Sequence, residues 1–177
     1  KVLTIVGLGS IGKEIARKAA FMGMEVHGVK KTPERVPDVR SVVGLDRLNE
    51  LLGQSDHVIN LMPLTPETED LFNRERFSRM KQGAFFINMG RGGSVNEDDL
   101  LEALKTDRLG GFVSDVFMQE PLPADHPLWD EDKVMITPHI CGESTVYMNK
   151  AIPVIVRNCQ AFLQGRLDEM VNRVEPD

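Results

Sequence analysis

Residues 2–12, Val-Leu-Thr-Ile-Val-Gly-Leu-Gly-Ser-Ile-Gly, restrict the chain to few folds. Val2 to Val6 are apolar or β-branched, as in a parallel strand covered on both faces. Gly7, Gly9 and Gly12 then fit G-x-G-x-x-G. The first glycine permits the tight turn, the second lets a pyrophosphate approach the backbone, and the third lets the helix lie close to the strand. The N–H groups of Ser10 and Ile11 open that helix, where its positive dipole end favours phosphate. Alone the pattern is only a turn. Between a strand and a helix it predicts a dinucleotide site.

The remaining chain repeats the strand–helix alternation. Helices are predicted over 11–22, 45–52, 67–80 and 97–106, and strands over 25–29, 57–61, 84–88, 112–116 and 134–137. Residues 33–43 and 117–132 read as proline-bearing loops. Asn96 is placed to cap the fourth helix, and Ser144 a long final one. Ile155, Cys159, Phe162 and Leu163 are its apolar face, with Pro153 placed to kink or interrupt it. This order predicts a doubly wound α/β domain on a parallel sheet, the Rossmann-type dinucleotide-binding class. The length of 177 residues suits one domain with a core. A net charge of −6 argues against nucleic acid as a partner. No apolar run is long enough for a membrane span and no signal peptide is visible. Cys141 and Cys159 form neither a metal spacing nor a disulfide framework, so no metal is expected and the cytoplasm is the default compartment. The first residue is Lys1, which suggests a cut or processed start.

Ligands of such folds sit beyond the carboxyl ends of the strands. Lys30, Arg91, Asp115, Glu120 and His139 all fall there. Lys30-Lys31-Thr32 ends the second strand, where an acid would bind ribose hydroxyls and basic residues would accept a 2′-phosphate; a solvated basic turn is the plain alternative. Histidine is a natural proton donor near neutral pH, a neighbouring carboxylate fixes its ring, and arginine holds a carboxylate in a planar fork. Together they suggest a 2-keto or 2-hydroxy acid substrate beside a nicotinamide. Each has a structural alternative: His139 a strand-end hydrogen bond, Glu120 a loop carboxylate, Arg91 a phosphate or carbonyl contact. His27, His57 and His126 read as structural or solvated. Cys141 has no neighbouring base to make it a nucleophile.

Several separated motifs resemble the cofactor-binding domain of the D-isomer-specific 2-hydroxyacid dehydrogenases. They are GLGSIG at 7–12, LMPLTPET at 61–68, MKQGA at 80–84, INMGRG at 87–92, DVFMQEPL at 115–122 and TPH at 137–139. The resemblance implies that Arg91 binds the substrate acid, Glu120 pairs with catalytic His139, and Asp115 holds the nicotinamide amide. It implies that Met62, Pro63, Met89 and Gly90 line the cofactor through backbone atoms, with His139 and Gly142 also on the cofactor side. Lys30 replaces the acid of NAD-dependent members and resembles members preferring NADP, so NADP is the first cofactor expectation and NAD the second. Cys141 stands where the family usually has a smaller residue. The family places a substrate domain before this one and completes it with the chain's end; residues 1–163 are therefore expected to be the dinucleotide domain and 164–177 a return segment. A homodimer is implied, with Leu122, Leu128, Trp129, Val146 and Tyr147 as its apolar surface. The resemblance extends to transcriptional corepressors that sense dinucleotides without turnover, and to formate and phosphonate dehydrogenases.

Overall fold

Strand β1 (Val2–Val6) takes an interior place in a seven-stranded sheet because its side chains, Thr4 apart, are apolar on both faces. The computed structural model describes residues 1–173. After β1 come α1 (Ser10–Phe21), β2 (Glu25–Val29), β3 (Ser41–Val43), α2 (Leu48–Leu52), β4 (His57–Asn60), α3 (Arg74–Arg79), β5 (Ala84–Asn88), α4 (Glu97–Lys105), β6 (Leu109–Ser114), β7 (Val134–Ile136) and α5 (Tyr147–Leu163). The sheet order is β3-β2-β1-β4-β5-β6-β7 and each pairing is parallel. The doubly wound α/β expectation holds.

Alternation along the strands divides the core between the two faces. Leu3, Ile5 and Ile59 meet Ala16 and Ala19 of α1. Val6, Val58, Phe86 and Phe112 join the residues of α2, α3 and α4. Phe86 is the hub there, with Phe72, Phe77 and Phe112 rings at 4.5, 5.7 and 5.6 Å. On the α1 side, Phe85 and Met135 stay exposed.

Several local expectations change. The helix expected over 67–80 is confined to Arg74–Arg79. Upstream of it the Asp70 and Phe72 amides donate to the Gly93 and Ser94 carbonyls at 3.0 and 2.9 Å, which diverts donors a helix would need. Asp70 has a left-handed φ of 45°, Phe72 bridges to Val95, and Asn73 caps the helix that follows. The loop expected over 33–43 contains β3, whose three residues are too few to show an alternation. Ser144 does not cap α5 through its side chain; its carbonyl accepts from the Tyr147 amide at 3.1 Å. Pro153 lies inside α5 without ending it. Asn96 caps α4 as expected, accepting from the Asp99 amide at 3.1 Å.

The chain divides into two compact units, Lys1–Cys141 and Gly142–Asp177. The second holds α5 and a turn in which Asn158 exchanges hydrogen bonds of 2.9 and 3.0 Å with Val171. Ile155, Cys159, Phe162 and Leu163, read as the packing face of α5, are exposed, whereas Ala161 is buried. Leu128, expected at an open surface, is 1% exposed in the core of the first unit, while Trp129, Val146 and Tyr147 are exposed. Residues 174–177 of the expected return segment lie outside the described residues. Among the described residues no helix is long and apolar enough to cross a membrane.

Candidate active site

At the carboxyl end of β1 the chain leaves through α1 toward β2, and the neighbour on the other side is β4. Such a reversal of strand order opens a crevice. Here the crevice is a cleft of about 840 Å³. Gly7 turns the chain out of β1 with φ 105°, and its amide and that of Leu8 bond the Val29 carbonyl at 3.1 and 3.0 Å. A Cβ on Gly7 would lie 2.9 Å from the Leu61 backbone carbon, and one on Gly12 would lie 2.5 Å from the Gly7 carbonyl oxygen. A Cβ on Gly9 would meet nothing within 4 Å, so this position faces open cleft. No side chain caps α1 and its first turn carries no acid, which leaves its positive end available to an anion. The glycine cradle therefore fits a dinucleotide pyrophosphate. Gly7, Gly9, Ser10, Ile11, Gly12, Lys30, Lys31, Met62, Pro63, Met89, Gly90 and Arg91 all line the cleft. Thr32 is exposed and lies outside the lining.

Lys30 is not a free cation. Its ammonium contacts Glu34, which also lies 3.5 Å from Lys13. Lys30 is the main reason the Glu34 carboxyl sits below its usual range. Sequence reasoning missed Glu34 as the counter-charge of Lys30; the four-residue spacing was visible, but a loop gave no reason to bring the two together. Lys31 lines the same cleft, and its charge adds to the Thr65 hydroxyl in lowering the Glu67 carboxyl.

A second group gathers beyond β6 and β7. His139 Nδ1 lies 2.6 Å from Glu120 Oε2, and Glu120 Oε1 accepts from the Phe117 amide at 3.0 Å. The histidine contact is the first cause of a lowered Glu120 carboxyl, followed by burial in the opposing sense and the Phe117 amide. An ionised carboxylate only accepts, so Nδ1 carries the proton in this contact and Nε2 is the remaining ring nitrogen. His139 sits in the left-handed region at φ 54°. Asp115 holds the turn around it. Its carboxylate accepts from the Thr137 hydroxyl at 2.5 Å, the Ile140 amide at 3.0 Å and the Cys141 amide at 2.9 Å. Burial works to raise the Asp115 carboxyl, yet these donors outweigh it and bring it to about 2.

The loops bearing these groups interlock. A Cβ on Gly92 would fall 1.9 Å from both the carbonyl carbon and oxygen of Phe117. The Arg91 guanidinium bonds its neighbour's carbonyl, Gly90 O, at 2.7 Å. Cys141 Sγ lies 3.2 Å from Met89 Sδ, and burial followed by Asp115 raises its thiol, away from the reactive thiolate. Gly142 belongs to the second unit. The other histidines lie elsewhere: His27 bonds Ser41 and Glu25, His57 lies against Phe85, and His126 accepts from the Leu128 amide. Among the described residues no cluster of three or more metal-ligating side chains is found.

The Asp115 clamp sets a pH dependence. Its folded pKa is below its unfolded value, so its contribution is fully present above about pH 4 and is lost as pH falls toward about 2. Asp115→Asn is expected to melt below the parent at pH 7, with the difference closing between about pH 4 and 2. Thermal melts followed by circular dichroism across that range check this; a constant difference would assign the loss to packing.

Residues 1–141 match the family described as "D-isomer specific 2-hydroxyacid dehydrogenase, NAD binding domain". Glyoxylate/hydroxypyruvate reductase A of Yersinia enterocolitica is 36% identical over 162 residues, covering 92% of this chain and 51% of that protein. A D-isomer specific 2-hydroxyacid dehydrogenase from Xanthobacter autotrophicus, solved with NADPH and MES, superposes with a TM-score of 0.91 at 36% identity, over 99% of this chain and 71% of that one. The NADPH-dependent glyoxylate/hydroxypyruvate reductase of Sinorhizobium meliloti, solved with NADP and sulfate, gives 0.86 at 34% identity, over 93% and 52%. The chain spans about half the length of the curated relatives it matches. With its glycine cradle and its parallel sheet, it belongs to the D-isomer specific 2-hydroxyacid dehydrogenase family, whose NAD binding domain it carries.

Proposed function

We propose that this chain is the cofactor-binding part of an NADPH-dependent 2-ketoacid reductase acting on small acids of the glyoxylate and hydroxypyruvate class. The carrying observation is the Glu120–His139 contact of 2.6 Å, on the same end of the sheet as the glycine cradle. A corepressor-like sensor can retain the same residues, and turnover by the full-length protein discriminates the two. The named activities of the Yersinia and Sinorhizobium relatives support the same substrate class.

When bound, the nicotinamide supplies the hydride. The chain supplies the rest. The cradle and the start of α1 hold the pyrophosphate, with Met62, Pro63, Met89 and Gly90 along its path. Arg91 turns its fork from the Gly90 carbonyl to the substrate carboxylate. Glu120 holds Nδ1, directing Nε2 to give a proton to the keto oxygen as it becomes a hydroxyl. Asp115 keeps the His139 turn in place and offers its carboxylate to the nicotinamide amide. A substrate domain supplies the other wall of a closed site, and the enzyme works in the cytoplasm, where Cys141 and Cys159 remain free thiols.

Lys30 and Lys31 set the cofactor. A 2′-phosphate displaces Glu34 from Lys30, at small cost because exposed ion pairs are worth about 0–1 kcal/mol, and gains a charge-assisted bond of about 1.5–3 kcal/mol. NADPH is expected to bind more tightly than NADH, and Lys30→Asp to reverse the order. Calorimetric titration with both cofactors measures this; equal affinity in the parent would defeat it.

Turnover should need both walls of the site, since positioning contributes about 7–11 kcal/mol. The 177-residue chain is expected to oxidise NADPH with glyoxylate or hydroxypyruvate at near-background rates. Joined to an upstream substrate domain it should turn over, and His139→Ala in that enzyme should lower kcat by about 10²–10⁴. Full turnover by the shorter chain would relocate the substrate site.

Trp129, Phe85 and Met135 in the first unit, and Tyr147 and Ile155 in the second, leave large apolar side chains exposed, of the kind an interface buries. They support a two-fold homodimer. Light scattering is expected to report twice the chain mass at micromolar concentration, and a monomer there would refute the assembly.

A further inference from the structure

Strands β4 and β5 are apolar inside the sheet but end on asparagines, and a serine lies buried between them. Asn60 and Asn88 are opposite each other in the ladder. Asn60, Asn88 and Ser94 are 0, 1 and 0% exposed. Burying three polar side chains costs free energy unless every group is paired, and an apolar trio would meet the demands of the sheet alone.

We propose that Asn60 is a positioning residue that locks two cofactor-lining loops, residues 61–63 and 89–91, in one fixed register. Both hydrogens and the oxygen of its carboxamide are engaged. Nδ2 donates to Asn88 Oδ1 at 3.0 Å and to Ser94 Oγ at 2.8 Å, and Oδ1 accepts from the Met62 amide at 3.1 Å. The Met62 amide is a donor, so the atom facing it is the oxygen and the orientation of the side chain is determined. Asn88 Oδ1 also accepts from the Gly90 amide at 3.2 Å, and its Nδ2 donates to the Arg91 carbonyl at 3.2 Å. Ser94 Oγ donates to that same carbonyl at 2.6 Å. One side chain thus connects the Met62 backbone with the backbone on both sides of the Gly90–Arg91 peptide. Contact is direct as well: a Cβ on Gly90 would come within 2.6 Å of the Met62 carbonyl oxygen and 3.1 Å of Asn60 Nδ2. Met62, Gly90 and Arg91 all line the cleft, so a shift of either loop alters the wall that a dinucleotide meets and the origin of the Arg91 fork.

The proposal rests on the dinucleotide reading of the cleft, and its test separates the two. In the unliganded chain, residue-resolved hydrogen exchange by NMR should find the Met62 and Gly90 amides about tenfold faster in Asn60→Leu than in the parent. Amides of β1 and β2, such as Ile5 and Val26, should keep their parental rates. NADPH affinity should fall by about tenfold in the same variant. Parental rates at Met62 and Gly90, a uniform acceleration of all amides, or an unchanged NADPH affinity would each overturn the positioning role. If Asn60→Leu does not fold, Ser94→Ala, which removes only a hydroxyl, is read instead: faster Gly90 exchange and weaker NADPH binding support the role, and parental values overturn it. A parent chain that does not bind NADPH would overturn the dinucleotide reading, while the exchange rates, which need no ligand, would still decide whether Asn60 locks the loops.

Discussion

The reversal of strand order between β1 and β4 is the constraint on which the site depends. On one side of β1 the chain proceeds outward through β2 to β3, and on the other through β4 to β7. Parallel strands deliver all their carboxyl ends to one edge, so loops far apart in sequence converge there. The glycine turn is shaped by what surrounds it. Gly7 has the Leu61 backbone against it and Gly12 has the Gly7 carbonyl, while Gly9 alone opens outward. Steric exclusion at two positions and free space at the third make a cradle in which main-chain donors can reach a phosphate.

Polar satisfaction organises the rest of that edge. Asp115 collects one hydroxyl and two amides around a histidine whose backbone is left-handed. The amides come from residues 140 and 141, so the acid stabilises the turn just beyond His139 rather than the ring itself. Glu120 takes the ring, and is itself steadied by the Phe117 amide. Two carboxylates thus divide the work: one holds the backbone, the other the imidazole.

Much of this was legible in the sequence. The G-x-G-x-x-G turn, the β1 and β2 boundaries and the Asn96 cap all rest on local rules, and the structure follows them. The Glu120–His139 pairing was suggested by a family pattern, since nothing local relates residues nineteen apart across a proline-bearing loop. Features governed by competition were harder to read. Residues 67–73 have helical periodicity, but the Gly93 and Ser94 carbonyls and the Asn96 amide, around a bridge from Phe72 to Val95, win the backbone groups of Asp70 and Phe72. Leu128 reads as surface in a polar loop, yet tertiary packing draws it into the core. Asn60 and Asn88 looked like unremarked strand ends, because their partners become neighbours only when β4 pairs with β5. Glu34 escaped notice for a similar reason: a loop, not a helix, brings it to Lys30.

The contact between Gly92 and Phe117 has a consequence for how such a site can change. With a Cβ excluded by the Phe117 carbonyl, the loop that carries Arg91 and the loop that carries Glu120 share one surface without spare volume. A substitution that moves one must move the other, and the second movement shifts a carboxylate bonded to His139. The Arg91 loop and the Glu120–His139 contact are therefore mechanically geared. Change at this edge is steered to side chains that project away from this seam, and loop grafting between relatives should exchange both segments as a single cassette.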